Sequence, residues 1–170
     1  MKTKKLTYAA LLTAICVVAG NFIYIPVGAS KCFPVQHIVN VIAAVTLGPA
    51  YAVSMAFCVS LIRNILGTGT LLAFPGSMIG AFLAAILFKY TGKKYLAVAG
   101  EIFGTGVLGG IVAYPVAAYI MGKSVAFFFY VVPFLISTTG GSIIAYILLK
   151  ALEMSKVIDF KTDNTRNGNA

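Results

Sequence analysis

The feature that most constrains this chain is the length of its stretches without charge. Between Lys5 and Lys31 lie 25 residues with no Asp, Glu, Lys or Arg, and between Lys31 and Arg63 another 31. A charge at the centre of a bilayer costs a few kcal/mol and is expelled to an interface, so charged residues bracket the segments a membrane can hold. A helix of about 20 apolar residues crosses the roughly 30 Å of hydrocarbon. The first gap therefore predicts one helix, over about 6–24. Gly48 and Pro49 split the second gap into helices over about 35–47 and 50–66, because proline removes a donor and restrains the residue before it. The next gap opens with Gly67, Thr68, Gly69 and Thr70, so a fourth helix, about 75–90, fills only its second part. Two more are expected over about 95–121 and 124–150. The expectation is an all-α integral membrane protein, with one domain of six transmembrane helices over 1–150. A polar cytoplasmic tail covers 151–170, its stretch 161–170 disordered.

Composition supports this reading. Sixty per cent of the residues are apolar and 10% charged, more apolar surface than one soluble core of this size can hide. The unbroken apolar runs lack the alternation a spanning barrel needs. No GxxxxGK[ST] phosphate loop is present and no length is left for a nucleotide-binding domain, so any energy for transport comes from elsewhere. The net charge of +9 sits between apolar runs and forms no aromatic-rich basic face, which speaks for topology and against nucleic acid. On the predicted layout Lys2, Lys4, Lys5, Lys89, Lys93, Lys94, Lys150, Lys156, Lys161 and Arg166 share one side, while Lys31, Arg63 and Lys123 share the other. Ten against three places both termini in the cytoplasm. The N-terminal run resembles a signal peptide but carries no clear small-x-small cleavage site, and is read as a retained helix. Three scattered cysteines and one histidine make no metal site, and no cofactor is expected. Cys16 and Cys58 are expected as small buried groups, Cys32 as a free thiol at the outer face.

Almost every unusual polar residue falls at the outer ends of the second and third helices. Gln36, His37 and Asn40 open one, with His37 and Asn40 on one face. Arg63 and Asn64 close the other, where the plain account of Arg63 is an interfacial anchor that snorkels. The Gly67 to Thr70 stretch exposes backbone groups that lipid cannot satisfy, so protein or a water-filled cavity must cover them. The loops 31–34 and 64–74 are therefore expected to converge over one outward pocket. Glu101 lies about 10 Å inside the fifth helix by helical rise. A carboxyl there either works or finds a partner, Lys93 or Lys94 at the interface being one, protonation against Gly104 and Thr105 another. Gly100, Gly104, Gly106, Gly109 and Gly110 beside it read as a seam for close helix packing, and Ala10 and Ala14 as a small-residue face on the first helix.

Gly28-Ala-Ser-Lys-Cys-Phe-Pro-Val-Gln-His37 followed by Ile-Val-Asn40, the stretch Arg63 to Ser77, and Gly100-Glu-Ile-Phe-Gly-Thr105 together resemble the ThiW family over about 6–150. The resemblance implies a substrate-specific S component of an energy-coupling factor (ECF) vitamin transporter in a prokaryotic plasma membrane. It implies uptake of a thiamine precursor, hydroxyethylthiazole, and a complex with a transmembrane T component and two cytoplasmic ATPases. In such components the Ala-xxx-Ala face of the first helix docks the T component, which places Ala10 and Ala14 at that contact. A near-neutral heteroaromatic alcohol calls for apolar walls and a few polar contacts. Phe33, Phe74 and Tyr114 are candidates for the walls, and Gln36, His37, Asn40, Asn64, Thr70 and Glu101 for the contacts. The alternative is a small proton-coupled carrier that uses Glu101 and needs no partner. An enzyme is not expected, because no GxSG serine with a paired His and no HExxH motif is present.

Overall fold

The computed structural model describes residues 2–27 and 30–155. Six helical segments form one bundle. They are α1 (Lys2–Phe22), α2 (Pro34–Thr46), α3 (Pro49–Ile65), α4 (Ala73–Thr91), α5 (Lys94–Ile120) and α6 (Val131–Met154). A short antiparallel hairpin, β1 (Ile25–Val27) with β2 (Ser30–Cys32), joins α1 to α2, and its tip residues Gly28 and Ala29 lie outside the described residues. So do residues 156–170, on which the expected disordered tail falls. The first part of the expected tail is instead the last turn of α6, where Glu153 is ion-paired with Lys94 at the start of α5.

Length and apolarity suit α1, α4, α5 and α6 to crossing a membrane, while α2 and α3 are shorter. The 13 residues of α2 are almost wholly buried, from Pro34 through Val45. A helix too short to meet lipid on its own is thus enclosed by α1, α3, α4, α5 and α6. Proline sits in the first turn of both α2 and α3, where its missing N–H removes no helical bond. Gly48 between them takes φ +89°, a left-handed conformation that lets the chain reverse tightly.

Lipid tails are as apolar as leucine, so these helices associate by close packing and not by hydrophobic expulsion. The glycine seam of α5 provides it. A Cβ placed on Gly104 would lie 2.7 Å from the Cα of Gly80, and one on Gly109 would lie 2.5 Å from the Cα of Gly76, so the backbones of α4 and α5 touch. Along the same stretch α5 widens into π-helical turns at Ile102–Gly109, and again at Val116–Ile120 after Pro115. Such turns are uncommon and tend to occur at functional sites.

The sixth helix departs from the sequence reading. Its expected start at 124 is replaced by an irregular segment, with α6 beginning at Val131. The reason is Pro133, which is tolerated in a first turn but would break a helix that had begun nine residues earlier. The apolar run 124–130 passes for helix by hydropathy and is used as a cover. The cysteines also differ from expectation, Cys58 being exposed and Cys32 buried, its thiol donating to the Pro133 carbonyl at 3.2 Å.

Candidate functional site

The alternation of the six helices brings to one end of the bundle the finish of α1, the hairpin, the start of α2, the finish of α3 and the starts of α4 and α6. Between them lies a cavity of about 610 Å³. Cys32 and Phe33 border it on one side and the chain from Gly67 to Ala73 on another, so the two loops do converge on one space. The segment before α6 supplies a third border through Lys123, Val125, Phe129 and Tyr130, a contribution hidden by reading that run as helix.

A directed chain of hydrogen bonds forms the polar wall. Arg63 Nη1 donates to Gln36 Oε1 at 3.0 Å, and Gln36 Nε2 donates to Ser60 Oγ at 3.2 Å. Ser77 Oγ gives its one hydrogen to the Ala73 carbonyl at 2.7 Å, which leaves Ser60 as the donor across the 3.2 Å between the two hydroxyls. Asn40 Nδ2 then reaches both the Ser77 carbonyl, at 3.3 Å, and Glu101 Oε1, at 3.0 Å, using both amide hydrogens. His37 Nδ1 and Thr105 Oγ1 meet the same Glu101 oxygen at 3.0 Å each. Thr105 Oγ1 has a single hydrogen and two acceptors in reach, Glu101 Oε1 at 3.0 Å and the Gly76 carbonyl at 3.1 Å. Lys94, one of the partners expected for Glu101 at the interface, is ion-paired with Glu153. Glu101 Oε2 has no hydrogen-bond partner among the described residues and packs over Gly80.

Gln36, His37 and Thr70 border the cavity directly. Asn40 and Glu101 form a layer behind them, Glu101 being 0% exposed. Asn64 serves the loop, its amide donating to the carbonyls of Ser60 at 2.8 Å and Thr70 at 3.0 Å. Two expected aromatic walls are placed elsewhere. Phe74 packs edge-on to Phe57, and Tyr114 sits against Phe127, neither bordering the cavity. Phe33 does border it, with Tyr24, Phe129, Tyr130 and Phe134 as aromatic company.

The sequence reading missed the roles of Arg63 and Ser137. Arg63 is not a snorkelling anchor, since the residue is 1% exposed. Its guanidinium lies 3.9 Å over the Phe33 ring and Nη2 donates to the Thr68 carbonyl at 3.0 Å. Desolvating a guanidinium costs several kcal/mol. Hydrogen bonds from a charged donor, about 1.5 to 3 kcal/mol each, and a desolvated cation–π contact of about 2 kcal/mol offset that cost. The available signal was the proximity of Arg63 to the glycines of the following loop, which let the chain fold back over its side chain. Ser137 Oγ is buried with no partner among the described residues and borders the cavity. Ala10 and Ala14 lie far along α1 from this site, exposed on its outward face with Leu6, Leu11 and Ile15.

The family described as "Thiamine-precursor transporter protein (ThiW)" matches residues 6–155. No curated protein matches the chain. A solved structure described as "Structure and mechanism of the S component of a bacterial ECF transporter" superposes with a TM-score of 0.75 at 19% identity, covering 90% of this chain and 97% of that one. At that identity the likeness carries the fold, a six-segment helical bundle of the S-component type.

Proposed function

The chain belongs to the ThiW family of thiamine-precursor transporter proteins, and from that premise we propose that it is the substrate-binding S component of an ECF-type importer. Its ligand is hydroxyethylthiazole, a small neutral heteroaromatic alcohol. The observation that carries this reading is the cavity at one end of the bundle, bordered by the polar side chains of Arg63, Gln36, His37 and Ser77 and by the aromatic rings of Phe33, Phe129 and Tyr130. A heteroaromatic alcohol needs apolar faces for its ring and a few fixed polar groups for its heteroatoms and hydroxyl. Gln36, His37, Thr70 and Ser137 offer those groups at the cavity surface.

All six helices span the cell membrane in this reading, the short α2 and α3 sheltered by their neighbours. The Lys-rich end holds both termini in the cytoplasm and the cavity opens to the outside. The chain holds ligand and its sequence carries no GxxxxGK[ST] phosphate loop, so in this reading a T component and two ATPase subunits supply the work of accumulation. Ala10 and Ala14 give the T component a place to approach closely. The test has two arms. Native mass spectrometry and calorimetry on the purified chain should show one hydroxyethylthiazole bound, and vesicle uptake should require the T component and ATP. Uptake by the chain alone in energised vesicles would favour a proton-coupled carrier instead.

A further inference from the structure

Charge at the cavity surface is one-sided. Arg63 borders it and Lys123 stands exposed at its mouth, while no carboxylate among the described residues reaches it. The described carboxylates are Glu101, fully buried behind His37, Asn40 and Thr105, and Glu153, paired with Lys94 where α5 begins and α6 ends. Arg63 itself is incompletely used. A guanidinium has five N–H donors. One goes to Gln36 and one to the Thr68 carbonyl, and Nε has no partner among the described residues. Stacking on Phe33 covers a face of the guanidinium plane and leaves the in-plane donors clear of that ring. Buried donors are normally satisfied, so a guanidinium that borders the cavity with Nε unpartnered among the described residues is placed to meet an acceptor that arrives with the ligand. The partnerless hydroxyl of Ser137 on the same cavity is a second group in that condition.

We propose that Arg63 donates directly to an acceptor atom of the ligand, and that the cavity accepts neutral or anionic heteroaromatic alcohols and rejects cationic ones. This rests on the ligand class proposed above and adds the sign of its charge. A free thiazole, with a lone pair on nitrogen and on its hydroxyl oxygen, satisfies the guanidinium. The same ring alkylated on nitrogen carries a positive charge into a space bordered by Arg63 and Lys123. At the effective dielectric of a partly buried site, two like charges several ångströms apart repel strongly enough to cost about tenfold or more in affinity.

Three probes of nearly equal size separate the effects in calorimetric titration of the purified chain. They are hydroxyethylthiazole, its thiophene analogue, which is neutral but lacks the ring nitrogen, and its N-methylthiazolium analogue, which lacks the lone pair and is cationic. The expected result is thiazolium binding weaker than thiophene binding by about tenfold or more. In Arg63→Gln that ratio should fall to within about threefold, and thiazole affinity should drop about tenfold with it, as for loss of one ionic hydrogen bond. Arg63→Lys keeps the charge and loses the planar fork, so it should still reject the thiazolium while binding thiazole weakly. Equal binding of thiophene and thiazolium by the unaltered chain would overturn the proposal even if the glutamine variant does not fold. Failure of all three probes would overturn the functional reading and this inference with it, whereas binding of thiazole with no charge discrimination removes this inference alone.

Discussion

His37 Nδ1 and Glu101 Oε1 meet at 3.0 Å although 64 residues separate them in the chain. Asn40 and Thr105 close on the same oxygen, so one carboxyl group fixes a turn of α2 against the π-helical stretch of α5. Glu101 does not border the cavity, whereas His37 and Thr105, which meet its carboxyl oxygen, both do. Glu101→Gln keeps one acceptor oxygen but buries an unpartnered amide near Gly80, whereas Glu101→Ala removes the hub. Affinity should fall in the order wild type, Gln, Ala, with a loss of about 1 to 3 kcal/mol for Ala. Titration of hydroxyethylthiazole together with thermal unfolding in detergent measures both effects. An alanine variant matching wild type in both would show that the hub is dispensable.

Gly80 makes room for that hub. A Cβ there would fall on Thr105 Oγ1 and lie 2.7 Å from Glu101 Oε2. Gly80→Ala should cost about 1 to 3 kcal/mol through overpacking, seen as a lower unfolding midpoint, and should weaken ligand binding. Gly140 is the control, because a Cβ there would have no neighbour within 4 Å. Its alanine variant should unfold at or slightly above the wild-type temperature, helix propensity being its main change. Equal midpoints for the two variants would remove the steric account.

The helices of this chain were legible because charge position and proline are one-dimensional signals. Gly48-Pro49 and the bare run before Lys31 mark their boundaries without any knowledge of packing. The cover over the cavity was not legible, because Val125 and Phe129 have the same hydropathy in a loop as in a span, and only Pro133 hinted at the later start. Polar clustering pointed to Gln36, His37 and Thr70, which border the cavity. It failed for Tyr114 and Phe74, since an aromatic side chain at a helix face gives no sign of which neighbour it will meet. Arg63 was misjudged for a physical reason. Lipid-facing and protein-facing positions of a short helix differ only in what folds over them. Gly69 returns so close that a Cβ on it would lie 3.1 Å from the Cβ of Arg63, an approach that exists only in three dimensions.

Asn64 staples the loop that borders the cavity, bonding the carbonyls of Ser60 and Thr70 at once. Asn64→Ala should free the loop while leaving the cavity walls in place, at about 0.5 to 1.5 kcal/mol for the lost loop contact. The expected signature is kinetic. Stopped-flow measurement should show ligand dissociation several-fold faster, with the association rate changed less. An unchanged dissociation rate would mean that this loop does not hold the ligand in.

Ala10 and Ala14 face outward from α1, while Ala9 and Cys16 on the same helix are buried against the bundle. One helix thus presents a packed side and a free side, and the free side carries small residues four apart among Leu6, Leu11 and Ile15. Small-xxx-small faces allow another helix to approach until the backbones nearly touch, and one bulky substitution is enough to hold it off. Ala14→Leu adds volume where nothing in the isolated chain is displaced, so unfolding midpoint and ligand affinity of the purified chain should stay within about 0.5 kcal/mol of wild type, as for substitutions away from packed features. Co-purification with the T component and ATP-dependent uptake should both be lost. A variant that assembles and transports normally would move the docking surface away from this face of α1, and a variant that loses ligand binding in isolation would show that Ala14 supports the bundle itself.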